Sequence, residues 1–362
     1  MQRTVGVEEE FLLVDPDDGQ ARAVGGAVLT ADAEDELTGE LQREQVETGT
    51  RPCRDLSELD RELRRTRDRA RAAAHAAGAD LAPLATSPLP ARPTVSPGAR
   101  YRRMVERFGL TASEQLTCGC HVHVAVASPE EGVAALDRIR PWLAPLLALS
   151  TNSPFWNATD SGYASYRSQV WGRWPSTGPT ELFGDQAGYQ RVVRAMLDTD
   201  TVLDEGMLYF DARLSRTYPT VEIRVADVCR EPVDAVLIAG LTRALVETAV
   251  REWQAGRPPD PVRTEVLRLA GWQAARSGLD GTLLDPGGWR AAPADAVLNG
   301  VVEHVTPALL DAGDLDVVRE LLDATLARNT GAARQRAVLE RTGDLRAVVA
   351  DAVDAEAAAF RS

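Results

Sequence analysis

Three short segments of the chain alternate apolar residues with ionisable ones, and this pattern strongly constrains the fold. In the first, residues 4–11 (TVGVEEEF), Val5 and Val7 lie on one face of a strand. Glu8 and Glu10 lie on the other face, because successive side chains of a strand point in opposite directions. Two carboxylates at this spacing are about 6–7 Å apart and can share divalent cations. An acidic edge strand with solvated charges is the alternative interpretation.

The same alternation recurs in residues 117–127 and in residues 209–230. These two segments add four ionisable side chains to the polar faces: His121, His123, Glu222 and Arg224. Strands with one polar and one apolar face are typical of an antiparallel sheet that carries helices on one side. The sequence therefore predicts an α+β fold in which the three polar faces form one concave surface.

Residues 40–50 (ELQREQVETGT) hold two further candidate carboxylates, Glu40 and Glu47. Glu40 and Glu47 are separated by about two helical turns, which places them on one face of an α-helix. We predict a helix here that ends at the Thr-Gly-Thr sequence, and a solvated acidic helix is the alternative. On one face of the helix, both carboxylates can complete the polar surface of the sheet.

Most of the remaining sequence has the pattern of helices joined by loops. Apolar periodicity and capping signals predict helices at residues 55–78, from residue 128 onwards, and at 233–253, 261–276, 293–310 and 315–328, before an Ala-rich tail. The Pro-rich residues 83–97 predict a structured loop or a lid. Residues 152–177 concentrate aromatic side chains, including three of the seven tryptophans. Such a segment lines a pocket or forms a binding loop, unless it is a hydrophobic cluster packed under a loop.

Composition excludes several classes of function. The formal net charge is −14 and no basic run stands out, so nucleic-acid binding and a polybasic membrane patch are not expected. We predict no signal peptide and no transmembrane segment, and we expect the four cysteines to be reduced thiols in the cytoplasm. The sequence contains no lysine. This absence excludes a P-loop lysine and a Schiff-base lysine, and leaves arginine and metal ions to handle phosphate.

The predicted polar surface suits hard divalent cations. Carboxylates with an occasional imidazole favour Mg²⁺ or Mn²⁺ over Zn²⁺. Several carboxylates around more than one Mg²⁺ suit the phosphate tail of a nucleotide. Arg224, next to Glu222 on the same face, can neutralise a transferring phosphoryl group because its charge is permanent.

Other sites can be built from the same residues. His121 and His123 with a glutamate suit a metal-dependent hydrolase or a 2-His-1-carboxylate oxygenase. A nucleotide-binding regulator without turnover is a further alternative. A zinc or copper site that includes Cys118 and Cys120 is disfavoured, because on a strand both cysteines face away from both histidines.

Five motifs in the expected order resemble one family. GVEEEF, VETGT, CGCHVHV, NSPFWNATDSGYASYRSQVWGRWP and TVEIRVADVC are similar to the carboxylate–amine ligases of the glutamate–cysteine ligase type 2 group, and the resemblance runs over residues 4–288. It implies a glutamine-synthetase-like catalytic fold, with a curved antiparallel sheet backed by helices. It also implies that ATP phosphorylates a carboxylate, classically the γ-carboxylate of glutamate. The amine of cysteine then attacks the acyl phosphate, with weak glutamate–cysteine ligase activity.

The resemblance also implies roles for particular residues. The implied metal ligands are Glu8, Glu10, Glu40, Glu47, His121 and Glu222. Arg224 and Arg213 are the implied catalytic residues, in contact with phosphate or with a substrate carboxylate. The residues implied to bind the ATP cofactor are Arg167, Asn152 and Tyr166, and Arg167 is also an implied partner of phosphate or of a substrate carboxylate.

The expected organisation is one catalytic domain with an extension. Residues 1–290 form the ligase domain in this interpretation, and residues 291–362 form a helical extension packed on it. The expected partners are small amino-acid substrates, with neither nucleic acid nor membrane. A homodimer is among the expected oligomeric states.

Overall fold

The computed structural model describes residues 2–358. Its strands are β1 (Val5–Val14), β2 (Thr38–Gly39), β3 (Gln45–Gly49), β4 (Asp80–Ala82), β5 (Gly119–Ala125), β6 (Phe155–Trp156), β7 (Thr159–Asp160), β8 (Ala212–Leu214), β9 (Thr220–Asp227), β10 (Thr282–Asp285) and β11 (Arg290–Pro293). Its helices are α1 (Gly25–Ala31), α2 (Leu56–Ala76), α3 (Ala99–Phe108), α4 (Leu110–Ser113), α5 (Pro129–Ile139), α6 (Leu143–Ser150), α7 (Arg167–Trp171), α8 (Gln186–Asp198), α9 (Pro232–Gln254), α10 (Thr264–Ser277), α11 (Ala294–Ala312), α12 (Leu315–Arg328), α13 (Gly331–Thr342) and α14 (Leu345–Ala358). None of the helices described is both long and apolar enough to span a membrane.

An antiparallel seven-stranded sheet forms the centre of the fold. Its strand order is β2-β3-β1-β5-β9-β8, and β4 pairs with β1 as well. The three alternating segments are β1, β5 and β9, so the prediction that they lie side by side is confirmed. The registers place Glu8 opposite His121 and His123 opposite Glu222. Ionisable side chains of neighbouring strands therefore meet on one face of the sheet.

The other face of the sheet packs against helices. Val7, Val122 and Ile223 are buried there in one hydrophobic core with α9. Helix α9 is buried along most of its length, between the sheet and the helices α11 and α12. Burying an aliphatic side chain of this size stabilises the fold by about 1.5–3 kcal/mol. This core holds the strands in place and leaves the polar face free for chemistry.

Capping signals in the sequence correctly predict where two of the helices begin. Asp55 caps α2, since its side chain accepts a hydrogen bond of 2.7 Å from the Glu58 N–H. Ser128 caps α5 through the Glu131 N–H at 3.2 Å. The Glu131 carboxylate also accepts a 3.0 Å hydrogen bond from the N–H of Ala127, one residue before the cap. Both helices thereby satisfy main-chain donors that would otherwise lack partners.

The predicted helix at residues 40–50 is wrong. Residues Gln45–Gly49 form strand β3, which pairs with β1, and Glu40 precedes it in an irregular segment. The physical reason is tertiary pairing: β1 has a free edge, and pairing with it outweighs the weak helical preference of the segment. Glu47 nevertheless comes close to Glu10, because the two residues are direct partners across the strands.

The Pro-rich residues 83–97 form a structured loop, as one of the two interpretations predicted. Leu84, Ala85 and Leu89 are buried in a hydrophobic cluster with β1 and α2. An isolated bridge joins Gln42 to Val95. These contacts hold the loop against the sheet, so the structure does not support the lid interpretation.

Candidate active site

The polar face of the sheet forms the floor of a cavity of about 330 Å³. The six residues predicted as metal ligands all line it: Glu8, Glu10, Glu40, Glu47, His121 and Glu222. Both predicted catalytic arginines, Arg213 and Arg224, line it as well. We call this space the carboxylate cavity. Each strand contributes alternate residues, so the period of two along β1, β5 and β9 brings these side chains to one place.

Three overlapping sets of donor atoms lie within the carboxylate cavity. In each set, one donor atom from each residue lies within 4.8 Å of the others. The sets are Glu8 with Glu47 and His121, Glu8 with His123 and Glu222, and Glu10 with Glu40 and Glu47. Carboxylate oxygens dominate all three sets, which is the chemistry that Mg²⁺ and Mn²⁺ prefer.

Crowding of the carboxylates changes their affinity for protons. Burial and the neighbouring Glu10 carboxylate raise the pKa of Glu40 to about 7. Burial and the charge of Glu40 raise the pKa of Glu47 well above its ordinary value. Like charges this close repel one another unless a proton or a cation intervenes. A bound cation or a proton would therefore stabilise the end of the cavity that contains Glu40 and Glu47.

At the other end of the cavity, histidines and arginines favour the ionised forms of two carboxylates, Glu8 and Glu222. Burial acts to raise the pKa of Glu8, but the imidazoles of His121 and His123, 3.6 and 3.2 Å from its carboxylate oxygens, outweigh it and leave that pKa well below its ordinary value. Burial likewise acts against ionisation of Glu222, but the charges of Arg224 and Arg213 lower its pKa to about 2. Two permanent carboxylates thus face the cavity beside the two arginines.

The two arginines have different surroundings. Arg213 binds Glu222 through two contacts, Nε to Oε2 at 2.8 Å and Nη2 to Oε1 at 3.1 Å. Arg224 also contacts Glu222, and its guanidinium carbon lies 5.7 Å from the centre of the Trp171 ring. The buried Nε of Arg224 has no hydrogen-bond partner among the described residues. Arg213 therefore orients Glu222, whereas Arg224 retains capacity to bind an anion.

Asn152, which was predicted to contact the nucleotide, is hydrogen-bonded within the protein and lies outside the carboxylate cavity. Its amide nitrogen donates to the carbonyl oxygens of Pro83 at 2.8 Å and Val228 at 2.9 Å. Its amide oxygen accepts a 2.8 Å hydrogen bond from Gln335. Asn152 is buried and does not line the carboxylate cavity. These three hydrogen bonds tie up the amide in the protein interior.

The rest of the aromatic segment divides between two environments. Trp171 and Trp174 line the carboxylate cavity, as the pocket interpretation predicted. Phe155 instead packs in a small hydrophobic cluster with Val338 and Val348, as the alternative predicted. Tyr166 packs near Trp156, with 5.8 Å between ring centres, and does not line the cavity.

Two residues that sequence reasoning missed also line the carboxylate cavity. Arg100 and Tyr101 belong to α3, which is far from the motifs in the chain. Arg100 is paired with Asp204 through contacts of 2.8 and 3.2 Å. No spacing rule connects α3 with the sheet, so only the three-dimensional structure shows that these residues are near the site.

The alternative sites receive no support from the geometry. No set of three converging donor atoms among the described residues contains both His121 and His123. A 2-His-1-carboxylate site is therefore not assembled here. Cys120 is buried in the core on the opposite face of the sheet, as its position in the strand predicted.

We expect Glu47→Gln to stabilise the cation-free protein at pH 8. A carboxyl whose pKa is raised in the folded state stabilises that state below its unfolded pKa, near 4.5. This contribution is lost as the pH rises through the folded-state value. The free energy of unfolding, measured by urea titration in EDTA, should rise by roughly 1–3 kcal/mol at pH 8 and change little at pH 5.

The same variant should lose most of the stabilisation that added Mg²⁺ gives to the wild type, because Glu47 belongs to two of the donor sets. Glu340→Gln, at an exposed position on α13, is the matched control and should behave as the wild type. A Glu47→Gln protein that is less stable than wild type in EDTA at pH 8 would contradict this account of the cavity.

Comparison with solved structures identifies the fold of the protein. A bifunctional glutathione synthetase from Pasteurella multocida aligns over 99% of this chain with a TM-score of 0.69 and 16% identity, and the chain spans 53% of that longer protein. A glutamate–cysteine ligase from Francisella tularensis, solved in complex with AMP, aligns over 100% of this chain and 93% of its own length, with a TM-score of 0.62 and 13% identity. The protein therefore has the fold of the glutamine-synthetase-like ligases.

Comparison of sequences defines the family. The model of glutamate–cysteine ligase family 2 matches residues 4–351, well beyond the residues in which the five motifs occur. A Streptomyces avermitilis protein that is provisionally named glutamate–cysteine ligase 2-1 is 54% identical to this chain. The alignment covers 97% of this chain and 98% of that protein. A Streptomyces coelicolor relative is 53% identical with the same coverage. The chain belongs to glutamate–cysteine ligase family 2, and it is an ATP-dependent ligase that forms C–N bonds.

Proposed function

We propose that this protein joins the γ-carboxylate of glutamate to an amine, with cysteine as the first candidate, in a reaction that requires ATP and Mg²⁺. The observation that carries the proposal is the convergence of five carboxylates and His121 with two arginines in one cavity. Nucleotide phosphates need several positive charges around them, and this chain has no lysine to supply any. Arginine and bound cations are the remaining sources.

The residues fit Mg²⁺. Burial and neighbouring carboxylates raise the pKa values of Glu40 and Glu47, so a cation bound between them would favour their ionised forms. The three donor sets offer mainly carboxylate oxygens and would hold the ions. When bound, Mg²⁺ neutralises the oxygens of the phosphate chain and lowers the cost of charge that develops during phosphoryl transfer.

The proposed reaction has two steps. In the first, the bond between the γ-phosphorus of ATP and the bridging oxygen of ADP breaks, and a bond to a carboxylate oxygen of glutamate forms. In the second, the amine attacks the acyl carbon, inorganic phosphate leaves, and the nitrogen loses a proton. The products are ADP, phosphate and a γ-glutamyl amide.

The arginines have separate roles in this proposal. Arg224 has an unpartnered, buried Nε and contacts the transferring phosphoryl group, where a fixed cation stabilises developing charge. Arg213 is a positioning residue, because its two contacts hold Glu222 in orientation. The Trp171 ring beside Arg224 limits the movement of the guanidinium.

Release of ADP tests the proposal directly. We expect ADP from ATP and Mg²⁺ only when glutamate and an acceptor amine are both present, and cysteine should be tested first. EDTA should abolish the release. The dependence on both substrates would identify an amide ligase and its substrates together.

A regulator that binds nucleotide without turnover predicts the opposite result. It would bind ATP with Mg²⁺ and release no ADP with any pair of acid and amine. ADP released at the same rate without an amine would instead indicate hydrolysis, and would also contradict the proposed ligase reaction.

A further inference from the structure

The C-terminal helix α13 contacts the aromatic segment of residues 152–177 through buried polar side chains. The side-chain nitrogen of Gln335 donates to two oxygens of Asn152, the main-chain oxygen and Oδ1, each at 2.8 Å. The Ala332 N–H also donates to the carbonyl oxygen of Thr151 at 3.0 Å. Gln335 and Asn152 are both buried, so these hydrogen bonds form away from water. They join a helix near the end of the chain to a motif in its middle.

The packing between α13 and Asn152 is close. Gly331, the first residue of α13, lies so near that a β-carbon at this position would collide with the Asn152 amide. The amide nitrogen of Asn152 is committed to the carbonyl oxygens of Pro83 and Val228. Its Oδ1 must therefore face α13, where Gln335 supplies the donor.

Asn152 belongs to a buried polar network that reaches Arg167. The Asn152 N–H donates to the carboxylate of Asp227 at 2.9 Å. The same carboxylate accepts hydrogen bonds from the hydroxyls of Ser153 and Ser165 at 2.7 and 2.8 Å. The hydroxyl of Ser153 in turn accepts from the Arg167 N–H at 3.0 Å. All five residues are buried, so a donor lost at one point of the network is not replaced by bulk water.

Arg167 depends on this network because its guanidinium has few close contacts. The Nε of Arg167 has no hydrogen-bond partner within the described part of the chain. Its terminal nitrogens lie 3.4 Å from the main-chain oxygens of Arg224 and Val225, and 3.9 Å from the carboxylate of Asp227. These contacts are long, so the place of Arg167 is set largely by its main chain and by the charge of Asp227.

Arg167 lies beside a residue of the proposed reaction. Its guanidinium carbon is 5.9 Å from the centre of the Trp171 ring, and that of Arg224 is 5.7 Å from the same ring. Trp171 and Arg224 both line the carboxylate cavity. A displaced Arg167 would change the charge next to Arg224, and a displacement of about 1 Å at an active site can lower a rate by about 100-fold.

We propose that Gln335 is a positioning residue for the ligase reaction, acting through Asn152 and Asp227 on Arg167. The amide of Gln335 holds Asn152 in place, Asn152 presents its N–H to Asp227, and Asp227 fixes Arg167 beside Arg224. Helix α13, which lies in the predicted C-terminal extension, then contributes to catalysis from outside the cavity. The inference rests on the proposed function only for the assay that measures turnover.

Crystal structures of the full-length wild type and of Gln335→Met test the inference without turnover. Methionine keeps the length of the side chain but cannot donate to Asn152. We expect the guanidinium of Arg167 to move by about 1 Å or more, whereas Arg213 and Glu222 keep their two contacts. An Arg167 that stays in place would overturn the inference. If the methionine variant does not fold, Gln335→Asn withdraws the amide by one methylene and should produce the same displacement.

Release of ADP measures the functional consequence. Gln335→Met should lower kcat/KM by about tenfold and raise the KM for ATP or for the acid, because KM does not depend on the fraction of folded protein. Gln335→Met combined with Arg167→Gln should be no slower than Arg167→Gln alone, since both changes act through one guanidinium. Wild-type kinetics in Gln335→Met would contradict the proposal. So would a further tenfold loss in the double variant, which would indicate a general effect on folding.

Two controls separate positioning from stability. Arg334→Gln, on the same helix, removes an ion pair with Asp351 and should keep the wild-type kcat and KM. Val318→Ala shortens a buried side chain of α12 outside the network, so it should lower stability and leave KM unchanged. If no pair of acid and amine releases ADP but Arg167 moves in the Gln335→Met crystal, the proposed reaction fails and the positioning of Arg167 stands.

Discussion

Glu8→Gln is expected to reduce ATP-dependent coupling by about 1,000-fold while the protein stays folded. Glu8 supplies a carboxylate to two of the three donor sets and is held ionised by His121 and His123. Glutamine keeps the size of the side chain but removes its charge, so cation binding at both sets should suffer. Steady-state release of ADP and circular dichroism together measure the two parts of this expectation.

The control for Glu8→Gln is the same glutamate-to-glutamine substitution at a position far from the cavity. Glu340→Gln on α13 makes the same chemical change at an exposed position and should retain full activity. Full activity in Glu8→Gln would refute the assignment of the metal site. A variant that is inactive because it is unfolded would be recognised from its spectrum, and Glu222→Gln would then serve as the second probe of the same donor set.

Arg67→Met is expected to lower the free energy of unfolding by about 3–5 kcal/mol. Arg67 on α2 binds Glu9 on β1 through contacts of 2.8 and 2.6 Å, and both side chains are fully buried. Arg67 also donates to the carbonyl oxygen of Cys229 at 2.8 Å. Removing the guanidinium leaves a buried carboxylate and a buried carbonyl oxygen without this donor, which is the costly case. Urea denaturation followed by fluorescence measures the loss.

An exposed arginine provides the contrast for Arg67→Met. Arg51 also pairs with a glutamate, Glu62, but 73% of its side chain is exposed, so Arg51→Gln should destabilise the protein far less than Arg67→Met does. The double variant Glu9→Gln with Arg67→Met should recover part of the stability, because no unpaired charge stays buried. Equal stabilities of the Arg67 and Arg51 variants would show that the buried pair does not stabilise the sheet.

Periodicity was sufficient to predict the strands of the site. The alternation in β1, β5 and β9 correctly predicted which face of the sheet each side chain occupies, including Cys120 in the core and His121 in the cavity. A period of two is a local property of the backbone, so it is visible in sequence. Helix beginnings at Asp55 and Ser128 were predictable for the same reason, since a cap is decided within four residues.

Features that depend on distant partners were not predictable. Residues 45–49 form strand β3 because β1 offers them an edge for pairing, and this edge is not visible in the segment itself. Asn152 lies in a motif, yet its hydrogen bonds to Pro83 and Gln335 come from parts of the chain far away.

The buried pair of Glu9 and Arg67 also makes the alignment of the central strand unique. Three consecutive glutamates, Glu8, Glu9 and Glu10, are chemically equivalent, and a slip of one residue would turn the outer two into the core. The buried guanidinium of Arg67 needs a carboxylate on the core side of β1 as its partner. In the observed register that carboxylate belongs to Glu9. The buried guanidinium of Arg67 thus favours a single register of β1. A buried ion pair on the core side of the sheet therefore helps to fix the positions of Glu8 and Glu10 on the opposite, catalytic face.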